Sequence, residues 1–76
     1  MTTVSVPGET IFRVPVGNFA LSPSAEGYTL NYSADGLNFD AWESATAAGK
    51  NEIVTNAPCG LYYKCVGNRS NLTLQY

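Results

Sequence analysis

The sequence contains no histidine, and its two cysteines, Cys59 and Cys65, do not form a Cys-x-x-Cys pair. Histidine is the commonest general base and a frequent zinc ligand, so most catalytic and metal-binding arrangements lack their central residue. Asp40 and Glu43 could be posed as a general acid and base, but a carboxylate such as Asp40 on a predicted strand is usually just solvated. We therefore predict that the protein is not an enzyme and binds no metal.

Charge is also scarce, because only 13% of the residues are charged, against about 25% in an average soluble domain. Four basic residues are scattered along a chain of net charge -2, which gives no basic cluster for a nucleic-acid backbone. No apolar run approaches the ~18 residues of a membrane span. After Met1 there is neither a basic segment nor the apolar segment of a signal peptide, so we expect no export through a secretory route.

The cysteines are predicted to be reduced. If residues 61–66 form a strand, the Cα atoms of Cys59 and Cys65 lie ~20 Å apart. A disulfide requires Cα atoms closer than ~7 Å. We expect Cys65 to pack in the core as a small apolar side chain and Cys59 to lie in a turn.

What the sequence does contain is a series of short alternating segments separated by Gly, Pro and Asn turns, with no apolar period of helical length. These features predict one all-β domain over residues 1–76, a small antiparallel β-sandwich or barrel of seven to eight short strands. Pro15 indicates that the second strand lies at a sheet edge or ends there. Residues 67–71 are predicted to be the loop of a closing hairpin. The predicted core comprises Phe12, Val14, Leu30, Phe39, Ala41, Val54, Leu61, Tyr63, Cys65, Leu72 and Leu74.

The clearest local signal is the Asp35-Gly36 pair between two alternating runs, which predicts a two-residue hairpin turn. In that register Tyr32 faces Phe39 and Leu30 faces Ala41 on the apolar side. Trp42 then falls on the polar side, beside Asp40 and Asn38. The oxygen atoms of Asp35, Asn38 and Asp40 faintly resemble a calcium loop, but the Asp-Gly turn already explains Asp35, and no distal Glu closes the site.

An exposed Trp42 with polar neighbours is typical of a ring that stacks on a sugar. The segment YSADG, followed by Phe39 and Trp42, resembles the hairpin of discoidin-like carbohydrate-binding sandwiches over about 15 of the 76 residues. This resemblance implies a carbohydrate-binding module that uses Trp42, which we keep as an alternative function.

The whole chain, and above all the YSADGLNFDAW hairpin and the closing NAPCGLYYKCVGNRSNLTLQY segment, resembles small all-β accessory proteins of tailed-phage virions. These proteins decorate capsids or form head or tail-fibre bases. The resemblance implies a non-enzymatic structural protein of the virion, present as a dimer or trimer and in contact with major capsid protein. It implies no cofactor.

A domain of this size is marginally stable alone, and its low charge fits a surface covered by neighbouring subunits. Exposed aromatic residues commonly anchor interfaces. We therefore predict contact residues at Trp42, Tyr62 and Tyr76, with Asp40 and Asn38 beside Trp42. A phage-encoded inhibitor that binds a host protein is a third hypothesis, which the sequence leaves open.

Overall fold

The computed structural model describes residues 1–43, 46–58 and 60–76, and these form an antiparallel β-sandwich without any helix among them. The predicted all-β class is confirmed, with two separate four-stranded sheets rather than a barrel. The strands are β1 (Thr3–Pro7), β2 (Phe12–Arg13), β3 (Phe19–Leu21), β4 (Thr29–Ser33), β5 (Asp40–Ala41), β6 (Glu52–Val54), β7 (Tyr62–Val66) and β8 (Asn71–Gln75).

The first sheet, called sheet A, has the strand order β1-β8-β3-β6, and sheet B has the order β2-β7-β4-β5. Because side chains alternate along a strand, each sheet turns one face toward the other and one toward solvent. β2 ends at Arg13 on the edge of sheet B, as the proline at position 15 predicts. The buried apolar residues between the sheets are Val6, Val14, Phe19, Leu21, Tyr28, Leu30, Val54, Ala57, Tyr63, Cys65, Leu72 and Leu74.

Aromatic rings join the two sheets. Phe19 of sheet A meets Tyr63 of sheet B edge-on, with 4.9 Å between ring centroids. Phe12 stacks on Tyr63 at 5.6 Å and meets Phe19 edge-on at 6.0 Å. Such offset and edge-on pairs stabilise by about 0.5–1.5 kcal/mol beyond the area they bury.

Most of the predicted core is confirmed, with Phe12 and Leu61 only partly buried against it. Two predictions are wrong: Ala41 is exposed, and Phe39 is half-buried outside the core cluster. Both errors come from the hairpin register, in which Asn31 pairs with Ala41 and Tyr32 pairs with Asp40. The pairing is shifted by one residue from the predicted register, and such a shift exchanges the two faces of a strand.

Side chains stabilise the loop between β4 and β5, which is longer than the predicted two-residue turn. The Ser33 hydroxyl accepts the N–H groups of Asp35 and Gly36. One carboxylate oxygen of Asp35 accepts the N–H groups of Leu37 and Asn38 at 2.8 and 2.9 Å. These bonds supply the loop backbone with partners that a tight two-residue turn would find across its strands.

The predicted closing hairpin is also wrong, because β7 belongs to sheet B and β8 to sheet A. Residues 67–70 instead cross from one sheet to the other, and Asn68 is buried at 2% exposure within this crossing. Its amide nitrogen donates to the carbonyl groups of Gly8 and Ser70, and its amide oxygen accepts from the Ser24 hydroxyl. Cys65 is a free, buried thiol, as predicted, whereas Cys59 lies outside the described residues.

We expect Phe19→Ala to destabilise the protein by about 3–5 kcal/mol, because it removes a ring buried between the sheets. The free energy of unfolding, measured by urea titration, checks this value. Leu37→Ala is the control, since Leu37 is 83% exposed and its loss should change stability by no more than about 0.5 kcal/mol. Equal effects at both positions would contradict the described core.

Candidate functional site

The five predicted contact residues do not share one surface. Trp42 lies on the inner side of sheet B, because its N–H donates to the Leu30 carbonyl at 2.8 Å and so places the two residues opposite each other. Its half-buried ring packs edge-on against Tyr32 and Tyr63, with centroid distances of 5.4 and 6.5 Å. The predicted position of Trp42 on the polar face is therefore wrong.

Tyr62 lies on the outer face of sheet B, where it is half-buried. The guanidinium carbon of Arg13 stands 4.3 Å from its ring centroid, and the Lys64 ammonium stands 4.5 Å from the ring of Phe39. Both are cation–π contacts. Sequence reasoning missed these pairs, because the cations are on strands β2 and β7 and meet their rings only after the sheet forms.

Asp40 and Asn38 are both exposed. The Asn38 amide donates to the second carboxylate oxygen of Asp35 at 3.0 Å, so it is part of the loop structure. Asp40 lies on β5 opposite Tyr32.

The Asp35 carboxylate is occupied by donors of the protein itself. The N–H groups of Asn38 and Leu37, followed by the Ser33 hydroxyl, hold the pKa of Asp35 well below its usual range. In the described part of the chain, no group of three or more His, Cys, Asp or Glu residues could hold a metal ion.

The sandwich interior holds titratable groups in their neutral forms. Burial, reinforced by the charge of Glu52, raises the pKa of the Cys65 thiol to about 12. Burial likewise raises the pKa of Tyr28 above its ordinary value. A thiol must ionise to act as a nucleophile, so Cys65 is a packing residue.

Tyr76, the third predicted aromatic contact, borders an open groove of about 320 Å³ at one end of sheet A. Ile53 and Met1 also line it, and they are 65% and 99% exposed. We call it the sheet A groove, and its lining residues are Met1, Asn18, Phe19, Ala20, Ile53, Val54, Thr55, Gln75 and Tyr76.

Sequence reasoning missed Ile53 as a surface residue. In the pair Ile53-Val54, alternation shows that one side chain faces inward but does not say which. The pairing of Phe19 with Val54 and of Ala20 with Ile53 decides it, since Phe19 is buried. Ile53 therefore points outward, toward Ala20 and the groove.

No protein-family model, curated protein or solved structure matches the chain. Nowhere in the described residues is there a helix long and apolar enough to span a membrane.

We expect Asp35→Asn to lower stability at neutral pH and to flatten its acid dependence. A carboxylate whose folded pKa is depressed contributes stability that is complete above its unfolded pKa, near ~4, and is lost as pH falls toward the folded pKa. Unfolding free energies from pH 7 to 2 measure the effect. Asp40→Asn makes the same change at an exposed carboxylate of β5 and is the control. If the unfolding free energies of both variants depend on pH in the same way, the stabilising role assigned to Asp35 is wrong.

Proposed function

We propose that this protein is a non-enzymatic structural subunit that associates with further copies and with a larger protein shell. The proposed shell is the capsid or fibre base of a tailed-phage virion, and the proposed partner is the major capsid protein or another virion protein. The subunit would cover or reinforce that surface and would be made in the host cytoplasm before assembly.

The sheet A groove is the observation that carries this proposal. It combines Tyr76, a predicted contact residue, with the exposed side chains of Met1 and Ile53. Contiguous apolar surface on a small domain marks an interaction site more often than an isolated exposed side chain does. An apolar segment of the shell protein is a chemically matched occupant, because the described groove lining carries no charged side chain.

The scarcity of charge supports the same conclusion. With 13% charged residues, the surface lacks the dense charge by which small monomers stay apart in solution. Burial of apolar area between subunits contributes about 25 cal/mol per Å². Association that occurs only in the folded state then stabilises the fold by mass action.

The alternatives have less support. A carbohydrate-binding module using Trp42 depended on an outward-facing ring, and that ring packs against Tyr32 and Tyr63. Binding to a glycan array that is lost in a folded Trp42→Ala variant would restore this alternative. An inhibitor of a host protein would be recovered from host lysate and be absent from purified particles.

We expect the melting temperature to fall over a roughly hundredfold dilution, because dissociation withdraws the stabilisation of the folded state. Differential scanning fluorimetry across that range measures it. Mass spectrometry of purified particles supplies the second measurement, with the protein expected in stoichiometric amounts. A constant melting temperature together with absence from particles would overturn the proposed function.

We further expect Ile53→Asp to reduce retention on particles by about tenfold or more, since burying an Ile side chain is worth about 1.5–3 kcal/mol. Leu37→Asp introduces the same charge at an exposed residue of the β4–β5 loop and is the matched control. Retention is measured by quantifying each variant on particles after washing. Equal retention of the two variants would show that the groove is not the attachment surface.

A further inference from the structure

β1 is the one edge among those of the two described sheets that is both long and uncharged. Its five residues, Thr3–Pro7, carry no Lys, Arg, Asp or Glu, and it pairs only with β8 in sheet A. The other edge strands are β2, β5 and β6, each of two or three residues with one charged residue among them. Charges and short length are the usual protections against edge-to-edge pairing, and β1 has neither.

The hydrogen bonds at the start of β1 determine which of its backbone groups are free. Thr2 and Tyr76 exchange two backbone hydrogen bonds, of 2.6 and 3.0 Å. In an antiparallel ladder such bonded pairs recur at every second residue, so Val4 and Val6 bond β8 in the same way. The N–H and carbonyl groups of Thr3 and Ser5 therefore point away from β8, outward from the edge of sheet A.

Pro7 ends this outward edge. It lies opposite Asn71 in a position whose nitrogen faces away from β8, which is where a strand tolerates proline. Its carbonyl accepts the Thr10 N–H at 3.1 Å. The free donors and acceptors within the strand are therefore concentrated at Thr3 and Ser5.

We propose that β1 pairs antiparallel with β1 of a second copy, about a two-fold axis that passes beside Val4. Thr3 of each copy then exchanges two hydrogen bonds with Ser5 of the other, and the two Val4 side chains face each other. The four-stranded sheet A of one copy and that of the other then form one continuous sheet. This inference rests on the self-association in the proposed function and assigns its contact.

A second copy suits this edge because the strand is complementary to itself. Val4 lies on the same face as buried Val6 but is 41% exposed, since it is at the rim of the core. Facing residues of a non-hydrogen-bonded pair approach most closely, with Cα atoms about 4.5 Å apart, so each Val4 would cover the other. On the outer face, the hydroxyl groups of Thr3 and Ser5 would become neighbours, with no like charges to oppose the approach.

The register is tested by charge exchange at position 4. Val4→Lys and Val4→Glu should each weaken self-association by about tenfold or more, because like charges then face each other across the axis. An equimolar mixture of the two should form heterodimers, because opposite charges meet there. Native mass spectrometry with one variant isotopically labelled measures the species, and circular dichroism verifies that each variant is folded.

Ser5→Pro provides a second variant for the same edge. Proline at this position removes an outward N–H and no bond to β8, so the domain should fold while pairing is lost. Ser5→Ala keeps the N–H and is the control, which should associate like the natural chain. Sedimentation velocity over a concentration series measures both.

The outcomes separate this inference from the proposed function. Self-association that persists unchanged in the folded Val4 and Ser5→Pro variants overturns the β1 contact and leaves the structural role standing. A chain that is monomeric throughout the series overturns both the contact and the self-association. Loss in each charged variant with recovery in the mixture supports position 4 facing itself, which a contact between β1 and another peptide does not produce.

Discussion

The passage of the chain from β7 to β8 is the connection on which both sheets depend. β7 lies inside sheet B and β8 inside sheet A, so residues 67–70 join the central part of one sheet to that of the other. Buried Asn68 fixes this crossing through hydrogen bonds to Gly8, Ser24 and Ser70. Burying an amide is costly unless its donors and acceptors are matched, and these partners come from three separate parts of the chain.

Glu26 strengthens the same crossing from outside. Its carboxylate accepts the backbone N–H groups of Arg69 and Ser70 and the Ser70 hydroxyl. The Arg69 N–H bond is the main reason that the pKa of Glu26 lies below its ordinary value. Glu26 thereby holds the loop before β4 against the segment after β7, at the point where the chain passes from sheet B to sheet A.

Alternation and turn residues were enough to predict the fold class, nearly all strand positions and most of the core, because they report local preferences. They failed where a side chain replaced a backbone partner. Ser33 and Asp35 stabilise a longer loop than Asp-Gly turns favour, and the resulting register moves Trp42 to the inner face. The groove was harder to predict, since it brings Met1, Ile53 and Tyr76 together from distant parts of the chain. No local pattern encodes such a meeting.

The pairing of β1 with β8 has a consequence for biosynthesis. β1 is synthesised well before β8, Asn71–Gln75, the strand with which it pairs. While the ribosome is still adding the intervening residues, Val4 and Val6 have no native strand to pair with, and contacts between such distant segments form slowly. The uncharged β1 segment of a nascent chain would therefore stay exposed until β8 has been made.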